Sequence, residues 1–367
     1  MWIYQRNNWP NFKWDNGFAS EKLATLHKKQ GILLGQMEEL GFTLKSDASM
    51  QMVTQDVLKS SLIEGENLPK DEVRSSVARR MGLEIGGLVN SSREVEGVVD
   101  MMLDATIKYN ERLTKDRLLG WHNSLFPAGK SGMHSITVGL WRDNTRNDPM
   151  QVVSGAIGRE VVHFQAPDAD RLEEEMRRFL MWLNGRTKLD PLLKAAIAHL
   201  WFVTLHPFDD GNGRIARAVT DMLLARSDDM SFRFYSMSSS IEKDKKNYYA
   251  ILEKTQRGDL DVSEWVMWFL NRLEDAFGQS HILLNDVLFQ AKFWHNPELL
   301  GINNRQKNML KKLLDDFQGK LTSSKWAKMT KTSQDTAGRD INDLIKKGIL
   351  KKDDSGGRST SYSLVRD

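Results

Sequence analysis

The sequence predicts a mainly α-helical protein with one small β-hairpin and a C-terminal helix-turn-helix-wing module. Three observations predict it. Long stretches repeat apolar residues at helical spacing. Residues 132–162 are instead rich in Gly, Val and turn residues. Beyond residue 300, short capped helices give way to strand-like runs around a Gly-rich turn. At 367 residues the chain has room for two or three domains. Its 40% hydrophobic and 28% charged content is that of a globular chain rather than a disordered one.

The elements follow in order. Apolar stripes at residues 23–40 and 95–109 predict helices, with a polar break at residues 90–93. Residues 49–64 predict another, striped by Met50, Val53, Val57, Leu58 and Leu62, with Gly65 as the residue that ends it. Thr114 caps a helix running to Leu125. Residues 132–162 read as irregular chain plus a short hairpin. Helix resumes over residues 171–184, with its stripe at Leu172, Met176, Phe179, Leu180 and Leu183. Residues 189–205, LDPLLKAAIAHLWFVTL, are apolar on almost every side, as a buried core helix is. Asp190 is its N-cap, Pro191 suits its first position, and His206-Pro207 stops it. Residues 262–293 form a further helix that leads to the tail.

The twelve residues 206–217, H-P-F-D-D-G-N-G-R-I-A-R, carry the chemistry. His206 stands where a buried helix emerges. Gly211 and Gly213 permit close backbone approach and positive φ. A helix then opens at Arg214, and a helix N-terminus is a natural phosphate site. Arg214 and Arg217, three residues apart, point the same way. Asp210 suits such a site when a divalent cation lies between it and phosphate, the usual Mg²⁺ arrangement. Together these are a proton acceptor, a metal carboxylate, an anion cradle and two guanidinium groups.

This stretch resembles the Fic family signature, H-P-F-x-[D/E]-G-N-G-R-x-x-R, at every specified position. The opening WIYQRNNWPNFKWD, the segments SSLIEGE, GLWRD and MQVVSG, and the tail resemble one Fic subgroup over essentially the whole chain. The resemblance implies a Fic fold: a helical core with a small β-hairpin flap, plus a C-terminal winged helix-turn-helix. It implies an N-terminal helical region over residues 1–112 with an inhibitory helix, a Fic core over 113–275, a helical connector over 276–300 and a winged helix over 301–367. It implies AMP transfer from ATP to a Ser, Thr or Tyr hydroxyl of a target protein or of the chain itself, with release of pyrophosphate. His206 is then the general base and Asp210 the Mg²⁺ ligand. Gly211, Asn212 and Gly213 cradle phosphates, and Arg214 and Arg217 neutralise them. Val152, Val153, Ser154 and Gly155 form the flap, an edge strand that holds a target segment. Tyr248, Tyr249 and Gln256 line the adenine side of the nucleotide.

Residues 60–65, S-S-L-I-E-G, match the family's inhibitory motif, [S/T]-x-x-x-E-[G/N]. Glu64 falls at a helix C-terminus, where the helix dipole disfavours an anion unless a cation accompanies it. The resemblance implies that this cation is Arg217, withheld from the γ-phosphate, with Ser60 at the head of the motif.

The charge is uneven. Net charge is +3 overall, but residues 301–367 carry +7 and the rest −4. That basic tail suits nucleic acid through a recognition helix capped by Ser333, with Gln334, Thr336, Arg339 and Lys346 exposed, or else a protein-interaction module. The absence of cysteine excludes disulfide and thiolate chemistry. No segment is long and apolar enough to span a bilayer, and the N-terminus lacks the pattern of a secretory leader. The expectation is a cytoplasmic protein adenylyltransferase that uses ATP and Mg²⁺, is autoinhibited by Glu64 and can form a homodimer. Two alternatives are a protein deadenylylase and a nucleotide-sensing DNA-binding regulator.

Overall fold

The computed structural model describes the chain except residues 39–41, 156–157, 232, 295, 316, 318, 354–359 and 366–367. Five helices come first: α1 (Asn16–Glu38), α2 (Phe42–Ile63), α3 (Lys70–Arg80), α4 (Arg93–Ile107) and α5 (Lys115–Leu125). Two antiparallel strand pairs follow where one hairpin is expected: β1 (Lys130–Ser131) with β2 (His134–Ser135), and β3 (Gln151–Ser154) with β4 (Val161–Gln165). Then come α6 (Leu172–Asn184), α7 (Pro191–Leu205), α8 (Asn212–Asp228), α9 (Met237–Lys243), α10 (Lys245–Gln256) and α11 (Ser263–Trp294).

Local chemistry sets many of these boundaries. Thr114 accepts a hydrogen bond from the N–H of Arg117 at the head of α5. Asp190 does the same for Leu192 ahead of Pro191 in α7. Every α7 residue is buried except Pro191 and Lys194, as its all-round apolar composition requires. α8 packs along α7, while α2 lies against α3, α4, α8 and α9. α2 starts seven residues before the expected helix and ends one residue earlier, so Glu64 lies just past its end.

The chain divides into two compact units, Met1–Leu283 and Leu284–Asp367. Within the first unit, α2 and α4 both pack on α8. α11 runs unbroken through position 276.

The second unit holds α12 (Asn304–Asp315), α13 (Ser323–Thr330), α14 (Gln334–Lys346) and the antiparallel pair β5 (Leu350–Lys352) and β6 (Tyr362–Leu364). Thr322 caps α13 and Ser333 caps α14, each through its hydroxyl. Trp326, Ile341, Leu344, Leu310 and Leu350 close its core. Most of the expected turn over residues 353–357 lies outside the described residues. Gln334, Arg339 and Lys346 are exposed; Thr336 is partly buried, its hydroxyl 3.0 Å from that of Ser333.

Candidate active site

α7 ends at Leu205, and His206 turns the chain with a left-handed backbone, φ 49°. A non-glycine residue there costs on the order of 1–3 kcal/mol unless its surroundings hold it. Arg142 does so. Its Nε donates to the His206 carbonyl at 2.7 Å, its Nη2 to the Pro167 carbonyl, and its own N–H to the Pro207 carbonyl at 3.0 Å. Burial lowers the Arg142 pKa to about 10 even with Asp209 nearby, so these carbonyl partners matter to it. Phe208 is fully buried and stacks on His122 with centroids 4.1 Å apart. Asn212 staples the turn: its Oδ1 accepts from the Phe208 N–H at 3.0 Å and its Nδ2 donates to the Phe208 carbonyl at 2.7 Å. The Asn212 side chain thus shapes the loop through its own backbone.

Gly211 does take positive φ, 78°. Gly213 does not. α8 begins at Asn212, two residues earlier than expected, and Gly213 lies within its first turn. Its lack of a side chain has another use, described below. The two acidic residues differ. Asp209 accepts from the Thr137 N–H at 2.8 Å. Asp210 accepts from the Ser131 hydroxyl and from the Gly211 N–H, one bond to each carboxylate oxygen. Each oxygen keeps a second lone pair.

The His206 ring lies with Nδ1 3.3 Å from the Val203 carbonyl. A carbonyl only accepts, so Nδ1 carries the proton and Nε2 keeps a lone pair. Burial, aided by Arg142, lowers the pKa of His206 to about 4. The ring is neutral at pH 7, as a general base must be.

Arg214 and Arg217 are both buried, at 3% and 1% exposure. Neither is free. Arg217 Nη2 pairs with Glu64 Oε1 at 2.7 Å and donates to the Ser60 carbonyl at 2.9 Å, while Nε donates to the Ser60 hydroxyl at 2.8 Å. The Ser60 carbonyl belongs to the last turn of α2, where helix carbonyls lack helical partners. Burial works against the Arg217 charge, but Glu64 together with Tyr248 and Tyr249 holds the group above its ordinary pKa. A Cβ on Gly213 would lie 2.1 Å from Glu64 Oε1, so glycine is what lets the carboxylate reach Arg217. Arg214 Nη1 pairs with Glu66 at 2.6 Å, and its guanidinium sits 5.0 Å from the Phe126 ring centroid. One segment just past α2 therefore occupies both arginines. Even so, Arg214 Nε and Arg217 Nη1 are buried without a hydrogen-bond partner among the described residues.

α10 splits the three residues expected on the adenine side between two faces. Tyr248 is 2% exposed, and its hydroxyl meets His199 Nε2 at 2.9 Å. Gln256 is also buried and donates to the Thr204 hydroxyl. Positions 248, 252 and 256 form the core face of the helix. Tyr249 is on the other face. Its hydroxyl donates to the Ile63 carbonyl at 3.1 Å and lies 3.5 Å from Glu64 Oε2. The flap residues Val152, Val153, Ser154 and Gly155 are exposed on and just past β3. No hydrogen bond among the described residues joins them to residues 206–217.

Sequence reasoning missed Arg142, His122 and Glu66. Glu66, two positions after Glu64, was there to be seen as an acidic neighbour, but nothing in the spacing pairs it with Arg214.

A helix pair α7–α8 with this loop at its turn defines a class, and comparison with known proteins agrees. Residues 112–224 match the Fic/DOC family, and residues 2–83 match a domain of unknown function (DUF4172). The stretch that holds the site is thus the part of the chain similar to the Fic/DOC family. It is similar to protein adenylyltransferase fic-1 of Caenorhabditis elegans, 30% identical over 200 residues, which are 54% of this chain and 35% of that one. It is also similar to protein adenylyltransferase Fic of Nematostella vectensis, 27% identical over 218 residues, 56% and 44% of the two chains. The chain thus spans well under two thirds of the length of these relatives. In fold it resembles a Fic family protein from Desulfovibrio desulfuricans G20 with a TM-score of 0.52 at 19% identity, covering 94% of this chain and 96% of that one. A Fic domain-containing signaling protein from Bacteroides thetaiotaomicron gives a TM-score of 0.51 at 20% identity, covering 74% and 97%.

Proposed function

We propose that this chain is a protein adenylyltransferase held in check by its own α2 segment. The observation that carries this is the pairing of Glu64 with Arg217 beside a neutral, tautomer-fixed His206. His206 Nε2 takes the proton of an attacking Ser, Thr or Tyr hydroxyl. The hydroxyl oxygen bonds to the α-phosphorus of ATP, and pyrophosphate leaves. Arg214 and Arg217 meet the β- and γ-phosphates. The unpartnered Arg214 Nε and Arg217 Nη1 fit an anion, because buried guanidinium donors ordinarily have acceptors.

The residues also fit Mg²⁺. Among the described residues no group of three acidic, His or Cys side chains forms a protein cage for a metal. Asp210 offers a single carboxylate with lone pairs to spare, and Mg²⁺ typically takes one or two carboxylates plus phosphate oxygens. When bound, the ion would screen phosphate charge. The chain's own part is to hold Asp210 still through Ser131 and Gly211.

Glu64 opposes all of this, since a carboxylate and a γ-phosphate want the same Arg217 donors. Two further parts of the reading have their own support. The exposed edge strand β3 suits strand addition by a target segment. The second unit, with capped helices α13 and α14 ahead of a strand pair and a basic composition, suits a winged helix that binds DNA.

The direct test incubates the protein and its His206→Ala variant with ATP labelled on the α-phosphate. Label on protein that depends on His206 supports the reading. Equal label in both, or none in a Glu64→Gly protein, refutes it.

A further inference from the structure

A two-stranded hairpin alone is marginal in water, so β3–β4 needs support from elsewhere. Val152, Val153 and Ser154 leave the β3 side exposed. The support is on the β4 side. Phe164 is 2% exposed and stands opposite Val152. The Trp2 ring meets it edge-on with centroids 5.2 Å apart, and the Tyr4 ring does so at 6.2 Å. The Tyr4 hydroxyl donates to the Ala166 carbonyl at 3.2 Å, one residue past the strand.

The end of α10 grips the other half of β4. Val152 faces Phe164 and Val153 faces Val162, so His163 has no opposite number. This β-bulge re-aims the His163 side chain, whose Nδ1 lies 2.7 Å from Glu253 Oε2. Arg257 donates to the Val162 carbonyl at 2.7 Å, and its guanidinium sits 5.2 Å from the Trp2 ring centroid. Trp2 thus touches both the hairpin and the residue that ends α10.

The segment that carries Trp2 and Tyr4 is itself tied down. Ile3–Gln5 form a 3-10 turn with Ile3 fully buried. Arg6 donates twice to the Gly258 carbonyl, at 3.1 and 2.8 Å. Trp9 Nε1 donates to Glu175 of α6 at 3.1 Å, and the Lys13 backbone bonds to Leu260 and Val262 at 2.8 Å each. Residues 2–13 are therefore a strap fastened at several points. The strap also leads to the His206 loop. Pro167, next to Ala166, gives its carbonyl to Arg142 Nη2, and Arg142 Nε donates to the His206 carbonyl. Two adjacent residues thus meet Tyr4 on one side and, through Arg142, the turn that carries His206 on the other.

We propose that residues 2–13 are a positioning strap for the acceptor side of the reaction. Trp2 and Tyr4 fix β3–β4 against His206, and with it the hydroxyl that a target segment added to β3 presents. This rests on the adenylyltransferase reading above. It gives the stretch 2–83, which matches a domain of unknown function, a part on each side of the transfer. Glu64 and Glu66 hold the arginines that meet phosphates, while residues 2–13 hold the edge that meets the acceptor. Trp2 and Tyr4 act through the hairpin, so their loss lowers transfer without weakening ATP binding.

The experiment compares full-length Glu64→Gly protein with the same protein carrying Trp2→Ala, Tyr4→Phe or Trp2→Phe. Amide hydrogen exchange reads the hairpin. Trp2→Ala removes an aromatic pair and a cation–π contact, so exchange over residues 151–154 and 161–165 should quicken by about tenfold while α7 and α8 keep their protection. Tyr4→Phe removes one hydrogen bond and should quicken it a few-fold. Trp2→Phe should restore most of the protection. AMP incorporation into protein at saturating Mg²⁺ and ATP should fall in the same order, with the Kd for ATP unchanged. Unaltered hairpin exchange in Trp2→Ala overturns the strap. Faster hairpin exchange with undiminished AMP incorporation overturns its positioning role, as does a loss shared equally by α7, α8 and ATP binding. No AMP incorporation in the Glu64→Gly parent instead removes the underlying reading, and the positioning role with it.

Discussion

Glu64 reaches Arg217 through the space that a side chain at position 213 would fill. A Cβ on Gly213 would stand 2.1 Å from Glu64 Oε1 and 3.2 Å from Arg217 Nη1. The glycine of the loop before Arg214 is thus also the seat of the Glu64 carboxylate. Gly213→Ala should cost about 1–3 kcal/mol of stability without nucleotide, the usual range for overpacking. In a Glu64→Gly background most of that penalty should vanish, because the atom it strikes is gone. Denaturant melts of the two single variants and the double variant give the coupling. Additive penalties would mean that the two residues do not share this space.

The second clasp predicts a graded release. Glu66 pairs with Arg214 at 2.6 Å, yet its own carboxylate is partly exposed, and burial, outweighing Arg214, raises its pKa. A partly exposed pair contributes less than a buried one. Glu66→Gln should therefore raise AMP incorporation by a few-fold, less than Glu64→Gly, and the double variant should exceed both. A Glu66→Gln rate equal to wild type at saturating ATP would leave the Arg214 contact without a regulatory part.

The acidity of His206 sets a pH profile. Its pKa is lowered from the usual 6.5 to about 4, first by burial and then by Arg142. Neutral imidazole is the competent form of a base, so the lowered value keeps it competent well below pH 6.5. In Glu64→Gly protein, kcat/KM for ATP should be flat from pH 8 to about 5 and fall only below that. An acidic limb centred near 6.5 would place the base in an ordinary aqueous setting and contradict the geometry.

Much of the fold was legible because its signals are local. Thr114, Asp190, Thr322 and Ser333 cap helices within three residues of themselves, and the run over residues 189–205, apolar on almost every side, reads as a buried helix. The site was legible where one short motif holds it, from His206 to Arg217. What the sequence hid is long-range or depends on helix phase. Glu66 and Arg214 are 148 positions apart, and His163 and Glu253 are 90 apart. Tyr248 and Tyr249 are adjacent in sequence, but successive helical residues point about 100° apart, so one faces the core and the other Glu64. The bulge at His163 depends on strand register, which no local residue type announces.

The basic second unit predicts a salt signature. If α14 of the full-length protein enters a duplex groove, binding should weaken steeply between about 50 and 200 mM salt as counterion release loses its drive. Fluorescence anisotropy with a labelled duplex measures it. No binding at 50 mM salt would assign the unit to protein contacts instead.

On the reading proposed, Glu64 withholds Arg217 from the nucleotide. The most direct measurement is the initial rate of AMP incorporation into the protein at saturating Mg²⁺ and ATP, wild type against Glu64→Gly. Freeing one charge-assisted contact worth about 1.5–3 kcal/mol should raise the rate on the order of tenfold or more. Arg217→Ala should not reproduce the gain, since it removes the phosphate partner together with the inhibitory one. A Glu64→Gly protein that labels no faster than wild type would contradict the account. Glu64 would then be tested on an AMP-modified protein as a group that orients water for removal of AMP.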